Sequence, residues 1–116
     1  MNYFDQLYAE LHKSPEYAAE YLPRAVTGII RRHMKQTGVT QEELAGRLGV
    51  TQANIAKKLR GGQNLTLKSL AEIAAALGAE WVGMELVPHA EARKREHRAA
   101  ESNKETGRVR GAKKAM

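Results

Sequence analysis

Gln52, Asn54, Lys57 and Lys58 lie within TQANIAKKLRGG, residues 51–62, and no carboxylate stands among them. A carboxamide both donates and accepts hydrogen bonds, so Gln52 could pair in bidentate fashion with an adenine edge, and Lys57 could donate to a guanine. Ala53 offers only a methyl group, suited to the methyl of thymine. The chemistry open to this stretch is hydrogen bonding to a polyanion, with no bond making. A solvated surface helix could have the same composition, since exposed lysines are ordinary there. Geometry has to separate the two readings.

Bond-making chemistry finds little support elsewhere. His12, His33, His89 and His97 are scattered, and no two stand at the i, i+4 spacing of a metal pair. The chain has no Cys, and Ser14, Ser69 and Ser102 lack a surrounding nucleophile motif. Gly61-Gly62 is a helix exit and no phosphate loop, because no strand precedes it and no GxxxxGK(S/T) follows. No enzyme, metal or cofactor is expected.

The elements that must hold the amides and lysines are announced by a repeat. Gly-Val-Thr-Gln-x-x-(Leu/Ile)-Ala occurs at residues 38–45 and again at 49–56, eleven residues apart. Each copy is a helix start: Thr40 and Thr51 serve as N-caps, and Val39 with Leu44 and Val50 with Ile55 form hydrophobic staples. Thr40 and Glu43 add a capping box. Two short helices, Gln41 to Leu48 and Gln52 to Leu59, are thus joined by a tight Gly49-Val50 turn, which is a helix-turn-helix. The first start carries Glu42 and Glu43, each worth about 0.3 to 1 kcal/mol at the positive helix end. The second start forgoes this and carries Ala53 and Asn54 instead. A carboxylate there would face the phosphates that a recognition helix must approach. With Ile55 and Leu59 turned to the core, Gln52, Ala53, Lys57 and, at the edge, Asn54 and Lys58 look outward.

Around this pair, Phe4, Leu7, Tyr8 and Leu11 predict an amphipathic helix over roughly residues 2–13. Ser14-Pro15-Glu16 starts a second helix, in which Pro23 should cause a break or kink near Leu22. Val26, Ile29, Ile30 and Met34 then face a core until Gly38. Thr66 caps a helix carrying Leu67, Leu70, Ile73, Ala74 and Leu77 on one face, ended by Gly78. In EWVGMELVP the period changes, with Val82, Met84 and Leu86 alternating and Pro88 closing a strand. A lone strand leaves its backbone groups unpaired, and the same strand of a second copy is the simplest partner. Trp81, Val82, Met84 and Leu86 are the expected dimer residues.

The chain has 116 residues and a net charge of +6. Residues 1–88 hold ten Lys/Arg against nine Asp/Glu, so most of the excess lies in the tail from His89. That tail should be helical to about Ser102 and lack a core of its own. Its charge suits a polyanion or simply solubility. RNA binding is the weaker reading, since the tail has no aromatic residue to stack on a base. No membrane span or leader is apparent, and the absence of Cys favours a cytoplasmic, nucleoid-associated setting.

Residues 40–78, TQEELAGRLGVTQANIAKKLRGGQNLTLKSLAEIAAALG, resemble the Cro/C1-type helix-turn-helix family, also called XRE-type or lambda-repressor-like. Gln41, Leu44, Ala45, Gly49, Val50, Thr51, Gln52, Ile55, Gly61 and the run from Leu70 to Gly78 carry the match. The resemblance implies that Gln41 contacts a phosphate and braces Gln52, and that Gln52, Ala53 and Lys57 face base edges. It also implies that Thr51 and the loop Arg60 to Thr66 lie against the backbone. The base-reading set is then Gln52, Ala53, Asn54 and Lys57. The phosphate-contacting set is Thr40, Gln41, Thr51, Lys58, Arg60, Gly62, Asn64, Thr66 and Lys68. The strand-like EWVGMELVP and the N-terminal extension look like HigA-type antitoxins, which repress their own operon and neutralise a toxin. The extension could instead be a dimer brace.

The expected architecture is mainly α: a lambda-repressor-like helix-turn-helix bundle with extra N-terminal helices and one C-terminal β-strand paired in a dimer. Its segments are an extension (1–22), the DNA-binding domain (23–79), a dimerisation strand (80–88) and a basic tail (89–116). The expected role is that of a homodimeric repressor on an inverted-repeat DNA operator, autoregulating as an antitoxin. The alternatives are a prophage-type regulator without a toxin, or an interaction module that neutralises a toxin and binds DNA secondarily.

Overall fold

The computed structural model describes residues 2–101. Helix α1, Tyr3–His12, starts at Asn2, whose side chain accepts from the Asp5 amide at 2.8 Å. Helix α2, Pro15–Thr37, starts at Ser14, whose Oγ accepts from the Tyr17 amide, and ends at Gly38 in the left-handed region. Helices α3, Gln41–Leu48, α4, Gln52–Lys58, and α5, Leu67–Ala76, follow, each opened by the threonine that the sequence nominates. A further helix, α6, occupies residues 89–101.

Of the break or kink expected near Leu22, the break does not occur. Pro23 does not break the helix, which runs unbroken from Pro15 to Thr37. Proline there withdraws the amide that would bond Ala19, but residues 18–22 are exposed, so water can satisfy that carbonyl. Four residues on, Thr27 is buried, and its hydroxyl donates to the Pro23 and Arg24 carbonyls at 3.1 Å. A buried hydroxyl is satisfied without leaving the helix.

The chain groups into two compact units, Ser14–Gly83 and the described part of Met1–Lys13 with Met84–Met116. The first is built on Ile30, Met34, Leu44, Ala45, Ile55, Leu59 and Ile73, all buried. Leu44, Ile55 and Leu59 have no exposed surface. Burying each such side chain contributes about 1.5–3 kcal/mol, so α3 and α4, too short to persist alone, are held by this core. Val39 packs against it as its staple requires, whereas Val50 is left 38% exposed. Ile29, expected to face the core, is exposed as well, and so is Leu67 on the apolar face of its helix.

In the second unit, α1 meets α6. The Arg93 guanidinium stands 4.9 Å from the centre of the Tyr8 ring and pairs with Glu96 at 2.8 Å. Arg95 pairs with Glu85 and with Glu91.

Residues 81–88 form no strand hydrogen bonds in the single chain, and Gly83 takes φ +74°, outside the extended range of a strand. The expected strand needs a second copy to pair with, which one chain does not contain. No helix among the described residues is long and apolar enough to cross a membrane.

Candidate nucleic-acid interface

The join between α3 and α4 follows from one glycine. Gly49 takes φ +69° and ψ +31°, a conformation that costs other L-residues about 1–2 kcal/mol. There the chain reverses, and the Val50 amide donates back to the Ala45 carbonyl at 3.0 Å, closing the end of α3. Thr51 then starts α4, its Oγ1 accepting from the Asn54 amide at 3.1 Å. One residue, Val50, separates the cap that ends α3 from the cap that starts α4.

Burial sets the rotation of α4. With Ile55 and Leu59 fully buried, Gln52, Ala53, Asn54 and Lys57 are exposed and Lys58 is half-buried. The four residues expected to read base edges are therefore brought together on the accessible face of one short helix. Of the residues expected at phosphates, Thr40, Thr51, Arg60, Gly62, Asn64, Thr66 and Lys68 are exposed and Gln41 is half-buried. Thr40 is committed to its capping box, with its hydroxyl 3.2 Å from the Glu43 carboxylate. A phosphate would have to displace that contact. The brace between Gln41 and Gln52 that the resemblance implies is not among the hydrogen bonds of the described residues.

Charge reinforces the geometry. From Leu44 to Ala71 the chain has no Asp or Glu, and it carries Arg47, Lys57, Lys58, Arg60 and Lys68. Arg47 is used within the fold: its guanidinium donates to the Ala76 carbonyl at 3.0 Å and stands 3.8 Å from Glu43. Among the described residues, Lys57, Lys58, Arg60 and Lys68 form no ion pair. No carboxylate among the described residues neutralises them.

A helix-turn-helix family model, HTH_3, matches residues 30–82. An uncharacterized HTH-type transcriptional regulator of Methanothermobacter thermautotrophicus is 44% identical over 54 residues, spanning 47% of this chain and 78% of that protein. This chain belongs to the helix-turn-helix family. Its XRE-type domain begins within α2 and includes the reversal at Gly49, the exposed face of α4 and all of α5. No solved structure gives a significant match.

Two features of this helix-turn-helix protein were not legible as parts of the site. The stem of Arg24, on α2, lies beside the Gly61-Gly62 turn: its Cγ and Nε are each 3.9 Å from where a β-carbon of Gly61 and of Gly62 would stand. No local pattern links residue 24 to residue 61. Trp81, expected at a dimer interface, donates its indole N–H to the Leu70 carbonyl at 2.9 Å, within its own chain. Val82, Met84 and Leu86 remain almost fully exposed. The tail residues Arg108, Arg110, Lys113 and Lys114 lie outside the described residues.

Proposed function

We propose that this protein is a sequence-specific DNA-binding transcriptional repressor that acts as a homodimer on an inverted-repeat operator. The observation that carries the reading is the acid-free exposed face of α4, with Gln52, Ala53, Asn54 and Lys57 held outward by the buried Ile55 and Leu59. In a two-fold dimer, two such helices enter successive major grooves about 34 Å apart. Val82, Met84 and Leu86, exposed at 88%, 83% and 103%, are the apolar surface proposed to bury between copies. Repression follows by occlusion of a promoter that overlaps the operator.

The deciding experiment is selection from a random duplex pool at near-physiological salt, comparing the intact protein with the Gln52→Ala/Lys57→Ala double variant. Enrichment of an inverted repeat by the intact protein alone is the expected result. An absence of any enriched motif would remove the DNA-reading role.

The antitoxin form of the proposal adds a protein partner, and one observation favours it. Tyr3 and Phe4 of α1 are 70% and 76% exposed, an unusual placement for two adjacent aromatics. Replacing Phe4 with Asp should abolish neutralisation of a toxin and leave operator binding intact. Loss of both functions, or of neither, would count against a separate partner surface.

A further inference from the structure

Resting on the DNA-binding reading, we infer that Arg24 is a phosphate-contacting residue, delivered from α2 to the backbone-facing loop that follows the recognition helix. Three observations converge on it. First, its stem lies against the Gly61-Gly62 turn, with Cγ and Nε each 3.9 Å from the β-carbon positions that the two glycines leave empty. Both glycines have positive φ, +53° and +82°, so other side chains are disfavoured there, and the arginine stem lies at van der Waals distance from the turn.

Second, Arg24 is exposed and forms no ion pair among the described residues. The loop it approaches begins at Arg60 and lies in the acid-free stretch between Leu44 and Ala71. Nothing in that stretch supplies a carboxylate to neutralise it. A guanidinium kept beside further cations is matched by an anion from outside, and the planar fork suits a phosphate bidentately.

Third, the turn of α2 that bears Arg24 is tied down. The buried Thr27 donates its hydroxyl to the Pro23 and Arg24 carbonyls, and the proline ring fixes the backbone φ of Pro23, the residue just before Arg24. The same length of stem on a frayed segment would hold the charge less well. Arg32 of the same helix provides the contrast, because its guanidinium folds over its own helix at Gly28, with Nη1 3.8 Å from the empty β-carbon position there.

The test measures binding of labelled duplexes, one carrying the selected inverted repeat and one scrambled, by the full chain and by Arg24→Gln, Arg24→Lys and Arg32→Gln across a salt series. Arg24→Gln should weaken both duplexes severalfold, leave their ratio unchanged, and reduce the salt slope by about one for each protomer bound. Arg24→Lys should retain the slope, because the charge remains, with part of the affinity lost. Arg32→Gln should match the intact protein, and all variants should share its thermal unfolding midpoint. Equal effects of Arg24→Gln and Arg32→Gln would reduce the result to net charge and overturn the assignment. So would a normal slope for Arg24→Gln, or a change confined to the specific duplex. If the intact protein binds neither duplex, the DNA-binding reading itself fails and takes the assignment with it.

Discussion

At the scale of single residues, the question is why α4 lacks the carboxylates that α3 has. The Thr51 hydroxyl already caps the Asn54 amide, so a Glu at 54 would complete the capping box found at Thr40 and Glu43. The double change Ala53→Glu/Asn54→Glu copies that start onto α4. By the dipole argument it should raise stability by about 0.3–1 kcal/mol per residue, read from urea unfolding. The same change should abolish operator binding, because both carboxylates would face phosphates. A variant that is more stable and still binds would show that this face does not approach DNA. Gln52→Ala tests a contact rather than the whole face. It should cost about 1–3 kcal/mol on the selected repeat, relax one operator position and change binding to a scrambled duplex little.

At the scale of elements, local chemistry and long-range chemistry part company. Ser14, Thr40, Thr51 and Thr66 opened their helices, and Gly38 and Gly49 closed theirs, because a cap is made by residues three or four apart and so is written locally. The face of α4 was legible for the same reason, through the spacing of Ile55 and Leu59. The break expected near Leu22 does not occur because the cost of Pro23 depends on whether the freed carbonyl can reach water, which the sequence does not state. Arg24, Arg47 and Trp81 were not legible because their partners, the Gly61-Gly62 turn, Ala76 and Leu70, lie eleven or more residues away. Two substitutions test the element joints. Gly49→Ala meets no neighbouring atom within 4 Å, so its cost should be conformational alone, about 1–2 kcal/mol in urea unfolding. A much larger loss would mean that the reversal is crowded. Arg47→Ala removes the hydrogen bond that ties α3 to the end of α5 and should cost about 0.5–1.5 kcal/mol, with DNA specificity preserved.

At the scale of the whole molecule, the unit made by α1 and α6 differs in kind from the helix-turn-helix unit: α1 contributes no buried residue, and it meets α6 through the Arg93 guanidinium over the Tyr8 ring and the Tyr8 hydroxyl donating to Glu96. Such a unit should respond to pH. Burial, and after it the positive charge of Arg93, lower the pKa of His12 from its ordinary 6.5, with His89 adding to the effect and Glu96 opposing it. A base whose folded pKa is depressed binds fewer protons folded than unfolded. Stability from the neutral imidazole is therefore full above pH 6.5 and falls as the pH drops below it. Hydrogen exchange, corrected for intrinsic rates, should show the α1 amides losing protection between about pH 7.5 and about pH 5.5 while the α3 amides keep theirs. His12→Gln should remove that difference between the two pH values, since no group at position 12 would then titrate. Equal loss of protection in the variant would assign the response to other groups, with His89 and Glu96 next to be replaced. A response of α1 that depends on His12 would mean that acidification loosens the exposed Tyr3 and Phe4 surface first, while the helix-turn-helix unit stays folded.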